Sequence, residues 1–178
     1  NTWYHVAAVG DGSTLKLYFN GQLIGQTSAN TLDYGTSAYP FNIGGGGIWD
    51  TTGNQFEGWI DEVAFYDRAL TADEILLQYS AAQGSLAGVT YLDYLNPEGW
   101  WRLNETNGTT AVNSGSMGST LNVPFSGTYT LGVAGIRPAA QAGFETNNLA
   151  VRLNGTNGRV ESATFMPDVS TPVLSVSA

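Results

Sequence analysis

Leu15-Lys16-Leu17-Tyr18-Phe19 places Leu15, Leu17 and Phe19 at alternate positions, and Asn20-Gly21 separates this run from Gln22-Leu23-Ile24. Both central residues of a type I′ turn need positive φ, which Asn and Gly tolerate, so the pair specifies a β-hairpin. Alternation puts Leu15, Leu17 and Phe19 on one face of the first strand. Upstream, Trp3-Tyr-His-Val-Ala-Ala-Val9 is an apolar run of strand length, followed by the turn signal Asp11-Gly12. Three strands at a spacing of about ten residues make an antiparallel meander, which commits this part of the chain to an all-β architecture.

Residues 56–66 read as a further strand region, with Asp61, Val63 and Phe65 on one face and Ile60, Glu62, Ala64 and Tyr66 on the other. Thr71-Ala72-Asp73-Glu74 is a capping box, and it predicts one short helix near residues 72–80 with Ile75, Leu76 and Tyr79 on one side. Residues 84–90 read as a linker, and an apolar segment with Tyr91, Leu92, Tyr94 and Leu95 follows. Trp100-Trp101-Arg102-Leu103 reads as a strand, residues 104–120 as loop, and further strands are expected at 127–131, 148–153, 158–161 and 173–177. Trp3 and Trp59 read as core, and at least one of Trp100 and Trp101, which alternate on their strand, must be core as well.

Composition excludes several classes. Six Lys and Arg stand against fifteen Asp and Glu, for a net charge of −9. Such a chain has no basic patch with which to displace counterions from nucleic acid, and it is ill suited to anionic lipid. There is no cysteine, so no disulfide scaffold, thiolate metal site or thiol nucleophile is available. No apolar run approaches the roughly 20 residues of a membrane span, which argues against membrane insertion. The 42% apolar content excludes disorder.

Residues 2–80 resemble the C-terminal half of the laminin-G-like, concanavalin-A-like jelly-roll family. The resemblance rests on Trp3-Tyr-His-Val-Ala, Asp11-Gly-Ser-Thr-Leu-Lys-Leu-Tyr-Phe-Asn-Gly21, Ile43-Gly-Gly45, Phe56-Glu-Gly-Trp-Ile-Asp-Glu-Val-Ala-Phe-Tyr-Asp-Arg-Ala-Leu70 and Thr71-Ala-Asp-Glu-Ile75, in that order. Residues 91–178 are similar to the N-terminal half of the same family, through Gly99-Trp-Trp-Arg-Leu-Asn-Glu105, Thr109-Thr-Ala-Val-Asn-Ser-Gly115, Ala150-Val-Arg-Leu-Asn-Gly-Thr-Asn-Gly-Arg-Val-Glu161 and Leu174-Ser-Val-Ser-Ala178. The resemblance implies an all-β antiparallel two-sheet jelly-roll sandwich. It divides the chain into residues 1–86, the C-terminal half of one domain, and 87–178, the N-terminal half of a following one. The middle of the domain, about 40–70 residues at ordinary strand spacing, has no counterpart. Because a sandwich needs both sheets, three arrangements are open: a stretch of a longer tandem array, one circularly permuted sandwich built from both segments, or head-to-tail complementation between neighbouring chains.

Catalytic constellations are wanting. His5 is the single histidine and lies in a family strand, so a structural role is expected of it. No serine elbow is present, and Asp61 and Glu62, adjacent on a strand, would point to opposite faces rather than act as a glycosidase pair. The chain is read as non-catalytic.

For ligands, residues 44–54 form a Gly-rich loop in which Trp49 stands beside Asp50 and Asn54, with Tyr34 and Tyr39 in the loop before it. An exposed ring over a sugar face with short polar groups beside it is the chemistry of a glycan site. The resemblance also implies a structural calcium between the loop after the opening strand and the Ile-Asp-Glu-Val strand, here Asn113, Asp61 and Glu62. Asn104, Asn107 and Asn154 lie in Asn-x-Thr sequons, which a chain so rich in Asn and Thr produces by chance.

The function expected is that of a non-catalytic adhesion or carbohydrate-binding segment of a large extracellular or cell-surface protein, bacterial in style, whose partners are a surface glycan and neighbouring repeats. Two alternatives stand beside it: a structural repeat of a filament, sheath or spacer that self-assembles, and an accessory module of a glycoside hydrolase or sialidase.

Overall fold

A computed structural model describes residues 2–28, 41–45, 54–84, 88–162 and 173–177. The N-terminal meander is β1 (Val6–Asp11), β2 (Thr14–Phe19) and β3 (Gln22–Ser28). Its hairpin turn is of the expected kind, with φ of 49° at Asn20 and 76° at Gly21. The Asn20 side chain accepts from the His5 backbone N–H at 3.0 Å, and its own N–H donates to the His5 carbonyl at 2.8 Å. The turn is thereby tied to the strand before it.

The short β4 (Phe41–Ile43) precedes β5 (Glu57–Ile60) and β6 (Val63–Tyr66). The single strand region expected over 56–66 is therefore two strands. Glu62 lies between them with φ of 53°, a left-handed conformation that breaks the alternation at Asp61-Glu62. Helix α1 (Ala72–Ala82) follows, and its capping box is complete. Its buried face is Ile75, Gln78 and Ala81. Leu76, expected on that face, is exposed.

A second helix, α2 (Gly88–Leu95), occupies what the sequence reads as linker and apolar start. It forms because Leu92 and Leu95, one helical turn apart, are both buried in the same apolar cluster. The remaining strands are β7 (Gly99–Trp101), β8 (Thr110–Ala111), β9 (Val123–Ser126), β10 (Tyr129–Ala134), β11 (Leu149–Asn154), β12 (Arg159–Ser162) and β13 (Val173–Ser177), with a 3₁₀ turn at Gly118–Leu121.

Strand pairing is antiparallel throughout the described residues. The largest sheet has the order β3-β2-β1-β13-β6-β7, a second β10-β11-β5, and a third β4-β12-β9-β8. Every sheet contains strands from both sides of the 86/87 boundary. The architecture is mostly β, in several antiparallel sheets, consistent with a jelly-roll sandwich.

Two cores lie on the two faces of the six-stranded sheet. On one face Ala7, Val9, Tyr18, Ala64, Tyr66 and Trp100 pack with Leu70, Ile75, Leu92 and Leu95 of the helical side. On the other, Val63, Phe65 and Trp101 pack with Ile43, Leu103, Ala111, Leu121, Val123, Phe125, Val151, Leu153 and Val160 of the smaller sheets. Trp100 and Trp101 are thus both buried, one on each face. At the far end of the sheet this second face opens. Cross-strand register places Val6, Leu17 and Phe19 together on it with Leu15, and all four are exposed.

Candidate functional site

Two features converge on the break between β5 and β6: a buried polar network and an aromatic cleft.

The network is built by the kink itself, which turns two successive carboxyl groups inward. Asp61 Oδ2 accepts from the Ile136 backbone N–H at 2.8 Å and from Asn148 Nδ2 at 2.7 Å. Asp61 Oδ1 has no hydrogen-bond partner, although the residue is only 2% exposed. Glu62 Oε2 accepts from Trp100 Nε1 at 2.7 Å, and Oε1 from Arg102 Nε at 3.0 Å. Arg102 reaches on to Glu145 at 3.0 Å, and its guanidinium lies over the Trp100 ring, 5.6 Å from the centroid.

Burial raises the pKa of both acids, because a carboxylate loses its hydration there. Asp61 is pushed up to about 8 by burial and then by the neighbouring Glu62 charge. Glu62 rises to about 7 by burial, against the opposing pull of Arg102 and the Trp100 indole N–H. Although Arg102 is only 3.0 Å away, desolvation outweighs the ion pair.

Asn113 joins this network only through Trp100. Its Oδ1 accepts from the backbone N–H of Trp100 at 2.6 Å and of Gly115 at 2.8 Å, and its Nδ2 donates to the carbonyls of Glu98 at 3.1 Å and Gly118 at 3.0 Å. The amide is fully engaged in holding the 113–118 loop on β7. Asp61, Glu62 and Asn113 together therefore offer one unengaged side-chain oxygen, Asp61 Oδ1, whereas a calcium ion takes about six to eight oxygen ligands. Among the described residues no group of three or more His, Asp and Glu side chains is placed to hold a metal.

His5 is enclosed beside Trp3, Tyr4, Gln78 and Tyr79. Burial lowers its pKa to about 4, so the ring is neutral at physiological pH. The Gln78 side chain beside the ring opposes that shift, and burial outweighs it.

The cleft lies on the opened face of the six-stranded sheet. It has a volume of about 560 Å³. Its walls are Trp3, Tyr4, Val6 and Phe19 on one side and Phe41, Ile43, Phe56, Trp59, Ile60 and Val63 on the other, with Thr2, Asn42 and Asp61 as its polar groups. Phe41 is a fixed wall, because its ring stacks on Trp101 with centroids 5.4 Å apart. Trp59, expected in the core, is 36% exposed. Strand alternation assigns a face to a residue but cannot say whether that face is covered.

Gly44 sits at the neck of the Gly-rich loop. Its φ is 89°, and a Cβ there would collide with Leu153 Cδ1, so both conformation and packing require glycine. Its carbonyl accepts from the Phe56 N–H at 2.8 Å. That bond closes the base of the segment holding Trp49, Asp50 and Asn54. Asn54 is exposed at the end of the segment with φ of 57°. Trp49, Asp50, Tyr34 and Tyr39 lie outside the described residues.

Residues 1–76 match the family model of the concanavalin A-like lectin/glucanases superfamily. The matched segment takes in β1 to β6 and the start of α1. It contains Asp61, Glu62 and the described lining of the cleft. No curated protein and no solved structure matched the chain.

Proposed function

We propose that this chain is a non-catalytic carbohydrate-binding or adhesion segment of an extracellular or cell-surface protein, acting beside further copies of itself. The observation that carries this reading is the match of residues 1–76 to a superfamily of lectins and glucanases. Asp61 Oδ2 and the Glu62 carboxylate are committed to internal hydrogen bonds and the single histidine is buried and neutral, which favours the lectin side of that superfamily. The glycan site is the segment closed by the Gly44–Phe56 bond, with Trp49 as stacking ring and Asp50, Asn54, Tyr34 and Tyr39 around it. Weak single contacts would be multiplied by repetition along the parent protein. The experiment is polysaccharide binding with and without Trp49→Ala, checked for retained fold by circular dichroism. Loss of binding in the variant supports the reading, and an unmutated chain that binds no polysaccharide overturns it.

A second reading, a structural repeat of a filament or spacer, draws on one observation. Strand β3 is exposed along all seven residues and carries neither charge nor proline, and among the described residues it has one neighbour. Such an edge invites pairing with another chain. A chain that stays monomeric by sedimentation at high concentration would count against it. The accessory-module reading is tested by looking for a catalytic domain elsewhere in the parent polypeptide.

A further inference from the structure

We propose that the cleft between the open face of the β1-β2 pair and β4-β5 is a binding site for an uncharged, flat, ring-bearing apolar molecule that carries a hydroxyl group. The inference is independent of the glycan reading, which places its ligand on the loop beyond Gly44.

Three observations define the ligand. The first is shape and surface. A volume of about 560 Å³ is that of a small-molecule pocket. Trp3, Tyr4, Phe41, Phe56 and Trp59 give it walls of ring faces and edges. A sugar would leave most of its hydroxyls unpaired against such walls, at a cost for each, whereas a flat apolar ring gains area and aromatic contact. The second is charge. Asp61 is the single ionisable acid or base on the described lining apart from the Tyr4 phenol, and burial, which raises its pKa to about 8, keeps it mostly neutral at pH 7, so no charge there would balance a charged ligand.

The third is the Asp61 carboxyl group. It is 2% exposed, its Oδ2 is fully used by Ile136 and Asn148, and Oδ1 has no partner. A buried oxygen left unpaired costs free energy that a partner from a ligand would recover. A hydroxyl supplies that partner as donor or acceptor. The walls are also held in place. Phe41 is fixed on Trp101, and the Tyr4 and Phe19 rings pack at 5.1 Å between centroids, so little order has to be created on binding.

The test is a fluorescence titration of the 178-residue chain with 2-naphthol and with naphthalene. Saturable one-site binding is expected, with 2-naphthol preferred by about threefold to tenfold, the equivalent of one hydrogen bond. Trp59→Ala should weaken both probes by up to about tenfold. Val6→Trp, which fills the cleft from an exposed strand position, should abolish binding with the circular dichroism spectrum unchanged. Asp61→Asn should shrink the preference for 2-naphthol and leave naphthalene binding in place. Absence of saturable binding overturns the proposal, as does binding indifferent to both Trp59→Ala and Val6→Trp. A chain that self-associates at micromolar concentration and takes up neither probe overturns it in favour of a second copy seated in the cleft.

Discussion

Asn113 shows how much one side chain can carry without touching a ligand. It is buried, and its amide closes four hydrogen bonds, two to Glu98 and Trp100 at the start of β7 and two within the 113–118 loop. Asn113→Ala should cost about 2–4 kcal/mol, since it leaves backbone groups unpaired in the interior; urea denaturation measures it. Asp61 and Glu62 make a different prediction. Their folded pKa values, about 8 and about 7, lie above the ordinary carboxylate values. The folded state therefore holds protons that the unfolded state has released, and these groups remove stability as pH rises. His5 acts in the opposite sense, with a folded value of about 4, but its contribution is complete by its ordinary value of 6.5. Between about pH 6.5 and pH 8.5 the two acids are left to act, so Tm should fall over that range. In Asp61→Asn the fall should be shallower, and a Tm that rises across the range would contradict the assignment. The sequence marks Asp61, Glu62 and Asn113 as special through the family motif. Which of their atoms remain unengaged is not legible there, because it depends on Ile136, Asn148 and Trp100, residues that only folding brings near.

At the scale of elements, legibility followed the range of the interaction. The Asn20-Gly21 turn and the Thr71 capping box are decided within four residues, and both stand as read. Thr71→Ala should cost about 1 kcal/mol, and thermal denaturation would detect it. Arg68, bonded to Glu74 at 2.8 Å, braces the same helix start and should keep the helix formed. Helix α2 is the converse case. Gly88-Val-Thr-Tyr-Leu-Asp-Tyr-Leu95 is short, opens on glycine and contains β-branched and aromatic residues, all poor local support for a helix. Its burial against the sheet overrides that preference. Leu92→Ala should therefore cost about 2–5 kcal/mol and reduce helical content by circular dichroism. The β5–β6 break lies between these extremes, because a left-handed glutamate carries no sequence signal of its own.

At the scale of the molecule, both apolar cores and all three sheets draw on residues from either side of the 86/87 boundary. Local patterning identified most strands and the family resemblance implied the sandwich class, but side-chain periodicity does not encode which strands become neighbours. Fragments 1–86 and 87–178 should each lack cooperative unfolding alone and recover it on mixing, as calorimetry would show; an independently cooperative fragment would contradict this sharing. Deleting residues 173–178 should be as damaging as losing a core strand, because β13 is the single link between β1 and β6 in the largest sheet. Pairs so distant in sequence also slow folding.

The placing of β13 beside β1 has a mechanical meaning. The strands are antiparallel, with Ala7 opposite Ser177 and Asp11 opposite Val173. A force pulling the chain apart at its two ends enters the pair at the Ala7–Ser177 end and opens its hydrogen bonds in succession. Strands loaded at opposite ends would instead resist with all their bonds at once. Under tension this sheet yields like a zipper at low force, and release of the β1-β2-β3 meander draws Ala7, Val9 and Tyr18 out of the core on the helical side. A protein strung from such units would lengthen gradually when stretched, absorbing the load as a spring does.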